Sequence, residues 1–355
     1  MIRPRRSSAI FSALLLLPSL AFAQAPTPAW TFAVSGDSRN CGDFVMPVIA
    51  ARVKAEGDAF YWHLGDFRAI YQIDQDLASM QPTGTTLSMD QYQKMAWDDF
   101  IARQLVPFGD LPVFLGRGNH ESILPMTRDG FLAKFATYLN RPEITAQNAK
   151  DGAAAAPKSS PWFHFVKDGV DFISLDNADK TEFSDTQLKW LRGILDRDLA
   201  AGSGITTIVA GMHEALPHST SSSHAMDDWP LGLTTGEQAY KWFYAAQTAG
   251  KHVYLVASHS HFYSPAIYDT PFWQQAGTVL PGVIIGSAGA HRYLLSSMAA
   301  PGSKTHIYGY LQGIVNSDGT INFQMLEVNE AEMIASKWPE APLSAVYECY
   351  AHNSD

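Results

Sequence analysis

Short hydrophobic segments rich in β-branched and aromatic residues recur along the chain, and a cluster of polar residues follows each of them. Segments of this length and composition predict buried β-strands. The segments and the polar clusters after them are residues 30–34 with GDSRN, 60–64 with GDFR, 111–115 with GRGNHES, 205–210 with GMHEA, and 253–257 with SHSHF.

Segments whose apolar residues recur at intervals near 3.6 lie between these strands and predict helices. They are residues 45–55, 89–105, 185–199 and 235–249, and Ser184 is placed to cap the third. Strand followed by helix, repeated, predicts an α/β fold in which helices lie outside parallel strands. Strands then follow one another directly at 283–285, 308–314 and 320–328, which predicts a mixed sheet.

The first 23 residues have the pattern of an export signal. Three arginines precede an apolar run, and Ala21, Phe22 and Ala23 form a small-x-small cleavage site. The apolar run is short for a membrane span, although an uncleaved membrane anchor is the alternative interpretation. We therefore expect cleavage near Ala23, a periplasmic or secreted protein, and no stable membrane insertion.

The remaining chain divides into a linker at 24–29 and one predicted domain at 30–355. With 355 residues in all, of which 46% are hydrophobic, the chain can bury a full core. Two segments within the domain, near 140–160 and 216–233, have the composition of surface insertions.

The charge of the chain limits its partners. The formal net charge is −10, and it becomes −13 without residues 1–23, because that segment contains three arginines and no other charged residue. A protein this acidic does not attract nucleic acid or an anionic membrane through its overall field, so we expect neither as a partner. Local cations must hold any anion that it binds.

Two cysteines occur, Cys41 and Cys349, which excludes a four-cysteine zinc site. In an exported protein they are candidates for one disulfide bond. Two unpaired thiols are the alternative that the sequence leaves open.

Metal-ligand side chains stand where the predicted strands end. The carboxyl ends of parallel strands meet at one edge of a sheet, and residues two apart in an extended chain point to the same side. Carboxylate, amide and imidazole donors suit divalent Zn, Mn or Fe, and they are too many here for one tetrahedral ion. The candidates are Asp37, Asp66, Asn119, His120, His213, His259 and His261.

The motifs GDSR, GDFR, GNHE, GMH and SHSH resemble those of the calcineurin-like metallophosphoesterases, whose pattern is D-x-H, GD-x-x, GNH-E/D, a lone His and GH-x-H. The similarity covers residues 30 to 261 in the same order, and five blocks in order are far more specific than any one of them. The resemblance implies a four-layer αββα sandwich with two mixed β-sheets.

The resemblance also implies a centre with two divalent ions that share Asp66. Its matching residues are Asp37, Asp66 and His261 for the first ion, Asp66, Asn119, His213 and His259 for the second, and His120 as general acid. It implies that a metal-activated hydroxide hydrolyses a small phosphate mono- or diester.

The chain departs from the family pattern at two positions. Arg39 replaces the histidine of D-x-H, and Ala69 stands where the purple acid phosphatase variant has a tyrosine ligand, with Tyr71 two residues too far along. The first ion therefore lacks a fourth protein ligand, so water completes its shell, or the site is weak or empty. Ser258 replaces the glycine of GH-x-H, a change that matters only if the turn needs a positive φ.

Three arginines, Arg39, Arg68 and Arg117, each lie two residues after a candidate ligand. Guanidinium groups bind phosphate in a bidentate manner, which makes all three candidates for substrate binding and Arg39 the candidate with a catalytic role. The alternative is that they form salt bridges with carboxylates such as Asp43 or Glu121.

Two further segments carry candidate substrate contacts. His291 and Arg292 follow a late strand in a glycine-rich loop and either bind the substrate or belong to a plain loop. His218, His224 and Trp229 lie in the 216–233 segment, which is either a substrate lid or a variable loop.

The function predicted from the sequence is that of an exported metal-dependent phosphoesterase. A non-catalytic or single-metal binding module on the same fold is the alternative, because a first-ion ligand is missing. A nuclease with the same ions is a third interpretation, which the acidic balance and the absence of a Lys/Arg stripe disfavour.

Overall fold

The structure is a computed structural model, and it describes residues 27–82, 84–152, 160–178, 181–221 and 224–355. The predicted export signal, residues 24–26 of the predicted linker and residues 153–159 of the first predicted insertion lie outside these ranges. Within the described residues, every helix is too short or too polar to span a bilayer.

Eleven strands in the described residues form two sheets. They are Pro28–Ser35 (β1), Tyr61–His63 (β2), Val113–Leu115 (β3), Phe163–Lys167 (β4), Val170–Ser174 (β5), Thr207–Gly211 (β6), His252–Ala257 (β7), Tyr263–Pro265 (β8), Gly282–Ile285 (β9), Tyr308–Asn316 (β10) and Ile321–Val328 (β11). The first sheet has the order β11-β10-β1-β2-β3, and the second has the order β4-β5-β6-β7-β9-β8.

Both sheets are mixed, as the resemblance implied. Strands β1, β2 and β3 run parallel, and β10 and β11 extend that sheet in antiparallel fashion. Strands β5, β6, β7 and β9 run parallel between the antiparallel edge strands β4 and β8. All five strands that the motifs follow are parallel strands, so their carboxyl ends meet at one side of the molecule.

The described residues form eleven α-helices, of which the first, third, seventh and eighth correspond to the four predicted segments. They are Gly42–Glu56 (α1), Gln75–Ser79 (α2), Met89–Phe100 (α3), Arg128–Lys134 (α4), Ala136–Leu139 (α5), Pro142–Asp151 (α6), Asp185–Asp198 (α7), Pro230–Thr248 (α8), Pro271–Ala276 (α9), Glu330–Ser336 (α10) and Leu343–His352 (α11). The side chain of Ser184 accepts a hydrogen bond from the backbone N–H of Gln187 and so caps α7 as predicted. Helix α8 begins earlier than predicted, because Pro230 favours the first turn of a helix.

The two sheets pack face to face through aromatic side chains. The ring of Phe172 on β5 lies 5.0 Å from the rings of Phe32 and Phe60, and Phe114 stacks on Phe165 at 4.1 Å. Because side chains alternate along a strand, the neighbouring Ile173 points to the opposite face, where it packs in a cluster with α7 and α8. Helix α1 covers the outer face of the first sheet. The layer order is therefore αββα, which confirms the predicted sandwich.

The prediction missed the hairpin of β4 and β5. Its signal was the pair Asp168-Gly169, which has φ values of 48° and 81° and joins the two strands directly. Such a pair between two apolar runs is typical of a tight hairpin turn. The first predicted insertion contains α6, and the second contains a 3-10 turn at Met226–Asp228 and the start of α8.

Cys41 and Cys349 are bonded as a disulfide across 308 residues of sequence. Cys41 directly precedes α1, and Cys349 lies in α11. The bond therefore holds the C-terminal helix against the loop that begins at Asp37.

Candidate metal centre

Four of the candidate ligands lie within coordination reach of one another. One ligand atom from each lies within 4.8 Å of the others, and three of the four side chains are buried. They come from the loops after β1, β2, β6 and β7, and they are Asp37, Asp66, His213 and His259. Convergence from four separate strands is what the parallel topology predicts for polar residues at strand ends.

The Nε2 atom of His213 lies at the middle of a group of lone-pair donors. It is 3.0 Å from Oδ1 of Asn119, 3.0 Å from Nδ1 of His259 and 3.3 Å from Oδ1 of Asp66. The Nδ1 atom of His213 lies 3.1 Å from the carbonyl oxygen of Leu64, so it donates its proton there and leaves Nε2 with a lone pair.

These four atoms have the spacing of ligands around one cation. Ligands at about 2.0–2.1 Å in a tetrahedron lie roughly 3.3 Å apart. His213, His259, Asn119 and Asp66 can each offer a lone pair, so a cation placed between them would bind all four. The donors are nitrogen and oxygen atoms, which suits Zn, Mn or Fe. The residues implied for the second ion therefore fit a divalent metal.

His261 and Asp37 lie beside this group. The Nε2 atom of His261 is 3.3 Å from Oδ1 of Asp37, and its Nδ1 atom donates to the carbonyl oxygen of His291 at 2.5 Å. None of the described residues donates a hydrogen bond to Oδ1 of Asp37 or to Oδ2 of Asp66, although both atoms are buried. A buried carboxylate oxygen without a hydrogen bond is unfavourable, and it marks a place where a cation belongs.

Arg39 lies between the two ligands expected for the first ion. Its Nη2 atom is 3.2 Å from Nε2 of His261, and its Nε atom is 3.7 Å from Oδ2 of Asp66. The hydroxyls of Tyr71 and Tyr293 accept hydrogen bonds from the same guanidinium at 3.1 and 3.3 Å. Burial opposes the charge of Arg39, but Asp66 outweighs it and raises the pKa of the guanidinium further.

The charges within the centre depend on one another. Burial favours the neutral forms, but the neighbouring histidines hold the pKa of Asp66 well below its usual range and lower that of Asp37 to about 2. In the same field, Asp66 and Asp37 raise the pKa of His213 to about 10 against the effect of burial. Burial and His213 lower the pKa of His259. The centre therefore holds two carboxylates and one position that draws positive charge.

Three of the ligands have a strained backbone. Asp37, Asp66 and His259 have φ values of 60°, 61° and 64°, in the left-handed region that side-chain-bearing residues seldom adopt. Such conformations cluster at functional sites, where surrounding bonds hold them. Here the backbone N–H of His259 donates to Oδ2 of Asp37 at 2.7 Å, and that of Asp37 donates to the carbonyl of Gly65 at 2.9 Å.

Glu121 braces the loop that carries Asp66, a role that the sequence analysis missed. Its carboxylate accepts backbone N–H bonds from Asp66, Phe67 and Gly118 at 2.8, 2.9 and 2.8 Å. Burial and the charge of Asp66 nevertheless raise the pKa of Glu121 to about 7. The signal was the glutamate of the GNHE motif itself.

Two glycines are needed because backbones approach the carboxylates closely. A Cβ atom on Gly118 would lie 2.3 Å from Oδ1 of Asp66, and one on Gly286 would lie 2.7 Å from Oδ2 of Asp37. Ser258 does not have a positive φ, so its replacement of the family's glycine introduces no backbone strain.

His120 points at the centre from the GNHE turn, Asn119–Ser122. Its Nδ1 atom donates to the carbonyl of Ala69 at 2.6 Å, which leaves Nε2 3.5 Å from Oδ2 of Asp66. Burial lowers the pKa of His120, and Arg39 adds to that effect while Asp66 opposes it. A histidine with one nitrogen fixed and the other facing the site has the geometry of a general acid or base.

The structure places Arg68 and Arg117 in buried salt bridges. Arg68 is fully buried, and its guanidinium pairs with Asp76 at 3.1 Å, with Asp43 at 2.5 Å and with Asp99. Arg117 is also buried and pairs with Asp176 at 3.5 Å. Carboxylates therefore surround Arg68, and one carboxylate pairs with Arg117. The salt-bridge alternative describes them correctly.

The structure places the side chains of His291 and Arg292 in contacts within the protein. His291 pairs with Asp355 at 2.8 Å, and only its backbone carbonyl contacts the centre, through His261. The guanidinium of Arg292 is buried and donates to three backbone carbonyls, so its role is to hold the C-terminal segment. Those carbonyls belong to Asn353, His306 and Tyr350.

A cavity of about 410 Å³ lies beside the centre. Tyr293, which stacks on His261 at 4.0 Å, and His224, whose ring lies 5.2 Å from that of His259, form its inner wall. Phe262, Leu294 and Leu295 contribute apolar surface. Of the three residues in the predicted lid, His224 lines this cavity. The ring of His218 instead stacks on that of Phe272, and Trp229 is exposed.

Comparison by sequence alone identifies no relative, because no protein-family model and no curated protein matches the chain. Solved structures do match it. PhoD is 13% identical, with a TM-score of 0.52, and the match covers 86% of this chain and 72% of PhoD. A purple acid phosphatase from yellow lupin (Lupinus luteus) seeds is 12% identical, with a TM-score of 0.50 over 87% of this chain and 56% of that enzyme. At this level of identity the likeness shows the fold, which is metallophosphoesterase-like.

Proposed function

We propose that the protein is an exported, metal-dependent hydrolase of small phosphate mono- or diesters, of the calcineurin-like type. The observation that carries the proposal is the convergence of Asp66, Asn119, His213 and His259 on one point beside His120. A fold shared with phosphatases supports it.

The metal would be held by those four side chains and would supply Lewis acidity and a water of lowered pKa. His120 acts from the opposite side of Asp66. Because its Nδ1 proton is committed to the carbonyl of Ala69, Nε2 is the atom that carries a proton to the leaving oxygen. Arg39 faces the same space and donates to a phosphoryl oxygen, in keeping with the geometry of guanidinium and phosphate.

The cavity beside His261 takes the organic part of the ester. Its wall combines the hydroxyl and ring of Tyr293 with the apolar side chains of Phe262, Leu294 and Leu295. The acidic overall charge disfavours long polyanionic substrates, which supports a small ester rather than a nucleic acid.

The disulfide between Cys41 and Cys349 supports export, because such bonds persist in oxidising compartments. N-terminal sequencing of the protein recovered from its native host tests this part. A mature chain that begins at Gln24 is expected, and one that begins at Met1 would contradict it.

The function is tested with purified protein on 4-nitrophenyl mono- and diesters, before and after chelation. We expect turnover that disappears with the chelator and returns with Mn²⁺, Zn²⁺ or Fe²⁺. Asn119→Ala should lose most of it, whereas Arg192→Ala, on the exposed face of α7, should not. Metal binding without turnover on any ester would favour the non-catalytic module, and faster cleavage of DNA than of small esters would favour a nuclease.

A further inference from the structure

We propose that the guanidinium of Arg39 takes the place of the first metal ion, so that the centre binds one divalent ion and uses an arginine as its second cation. The inference rests on the proposed hydrolase for its catalytic meaning, but its structural content stands on contacts within the centre.

Arg39 uses the lone pair that a metal would need. The Nδ1 proton of His261 is donated to the carbonyl of His291, so Nε2 of His261 is an acceptor. Arginine has donors and no acceptor. The contact of 3.2 Å from Nη2 of Arg39 is therefore a hydrogen bond into the His261 lone pair that would face the first ion.

The guanidinium of Arg39 also fills the space of the first ion. Its Nε atom lies 3.7 Å from Oδ2 of Asp66, the carboxylate that the resemblance implies two ions share, while Nη2 contacts His261. An ion would need bonds of about 2.0–2.2 Å to the same two residues. It cannot have them while the guanidinium lies between His261 and Asp66.

Arg39 is fixed in this position. Its side chain is 5% exposed, and Tyr71 and Tyr293 hold it from the far side through their hydroxyls. The next residue but one is Cys41, which is bonded to Cys349. The backbone that carries Arg39 is thus anchored at both ends, by Asp37 in the centre and by the disulfide.

The charges of the centre also favour a single ion. One divalent ion and one guanidinium exceed the charge of Asp37 and Asp66 by a single positive charge, which a phosphate anion can offset. A second divalent ion beside a buried arginine would raise that excess over Asp37 and Asp66 to three. Uncompensated buried charge is strongly unfavourable.

Arg39 also retains a donor for substrate. Its Nε–H is buried and finds no acceptor within hydrogen-bond distance among the described residues. A buried guanidinium N–H without an acceptor requires one when the site is filled. A phosphoryl oxygen of a substrate bound to the single ion would supply that acceptor. Arg39 would then orient the substrate, a role that a second metal ion plays in two-metal sites.

The experiment measures bound metal rather than activity. Wild-type protein, Arg39→His, His261→Ala and His213→Ala are each stripped with chelator, equilibrated with excess Mn²⁺ and freed of unbound ion. Elemental analysis then gives the ion-to-protein ratio, and electron paramagnetic resonance distinguishes isolated from spin-coupled Mn²⁺. Thermal unfolding confirms that each variant is folded.

We expect one equivalent and an isolated six-line Mn²⁺ spectrum for the wild type. Arg39→His supplies the missing imidazole and removes the guanidinium, so it should bind a second equivalent and give a coupled spectrum. His261→Ala should retain the single equivalent, whereas His213→Ala should lose it. In a two-ion centre, His261→Ala would instead drop from two equivalents to one.

Two equivalents in the wild type, or loss of the single ion in His261→Ala, would overturn the inference even if Arg39→His fails to fold. The metal-binding result tests the arginine substitution separately from the proposed function. A protein with one ion and no turnover refutes the hydrolase and retains the arginine substitution, whereas turnover with two ions does the reverse.

Discussion

The Nε2 atom of His213 lies 3.0 Å from the Nδ1 atom of His259. Because the other ring nitrogen of His213 donates to the carbonyl of Leu64, Nε2 of the neutral ring is an acceptor, which can receive a proton from Nδ1 of His259 or share a cation with it. Asp66 and Asp37 raise the pKa of His213 to about 10 against the effect of burial, so this position attracts positive charge. The pair is a binding site that folding has assembled in advance.

Metal should therefore stabilise the fold. Adding Mn²⁺ or Zn²⁺ to stripped protein at about 100 times the dissociation constant should stabilise it by roughly 2.7 kcal/mol, seen as a higher Tm by scanning fluorimetry. His259→Ala should lose this shift. His252→Ala, at the start of β7 away from the centre, is the control and should keep it. An equal shift in both variants would contradict the site.

Removal of His120 should affect substrates according to their leaving groups. The turnover of His120→Ala on alkyl phosphoesters should fall by about 10²–10⁴-fold, because their leaving oxygens need a proton. It should lose far less on 4-nitrophenyl esters, whose leaving group departs as a stable anion. Equal losses on both classes in steady-state assays would exclude the role of general acid and leave His120 as a positioning residue.

Gly118 and Gly193 should respond in opposite directions to alanine. A Cβ on Gly118 meets Asp66 at 2.3 Å, whereas a Cβ on Gly193, within α7, meets nothing within 4 Å. Gly118→Ala should lower both Tm and metal affinity, because Asp66 or its loop must move. Gly193→Ala should stabilise by about 0.5–1 kcal/mol, since alanine favours a helix interior. Unchanged metal affinity in Gly118→Ala would show that the loop adapts.

Arg68 should be a stability residue rather than a substrate contact. It is enclosed by Asp43, Asp76 and Asp99, so Arg68→Met leaves buried carboxylates unpaired and should destabilise by about 3–5 kcal/mol in urea unfolding. The exposed pair of Arg192 and Asp196 provides the control, and Arg192→Ala should change stability by less than about 1 kcal/mol. A raised KM with unchanged stability in Arg68→Met would revive the substrate-binding prediction.

His164 should make stability depend on pH. Burial lowers its pKa, but Asp171 at 2.9 Å and Asp151 at 2.5 Å outweigh this and raise the pKa to about 9. A pKa raised by folding contributes fully below the unfolded value of 6.5, and that contribution is lost as the pH rises through 9. Burial and Asp171 raise the pKa of Asp198 to about 8, so its contribution to stability also falls as the pH rises.

His164→Gln isolates the histidine contribution. The wild type should exceed the variant by on the order of 3 kcal/mol at pH 6, and the difference should shrink by pH 9.5. Urea unfolding at pH 6, 7.5 and 9.5 measures it. A difference that does not change with pH would mean that His164 is neutral in the folded protein.

Much of the architecture was predictable because it depends on local patterns. Apolar runs and 3.6-residue periodicity identified eight strands and four helices, and the motif order implied the αββα layers. The hairpin of β4 and β5 was overlooked, although Asp168-Gly169 signalled it. The position of Tyr293 against Arg39 had no such signal, because 254 residues separate them and only the packing of the second sheet brings them together.

The three arginines show where local pattern stops. Arg39, Arg68 and Arg117 each follow a candidate ligand by two residues, and the sequence treats them alike. Only the tertiary structure turns Arg39 toward His261, Arg68 into a carboxylate cluster, and Arg117 toward Asp176. The sequence by itself determined which strands end in ligands, because burial and periodicity are properties of neighbouring residues. The partners of Arg68 were decided by α1, α2 and α3, which bring Asp43, Asp76 and Asp99 together around it, since electrostatic pairing depends on distance in space.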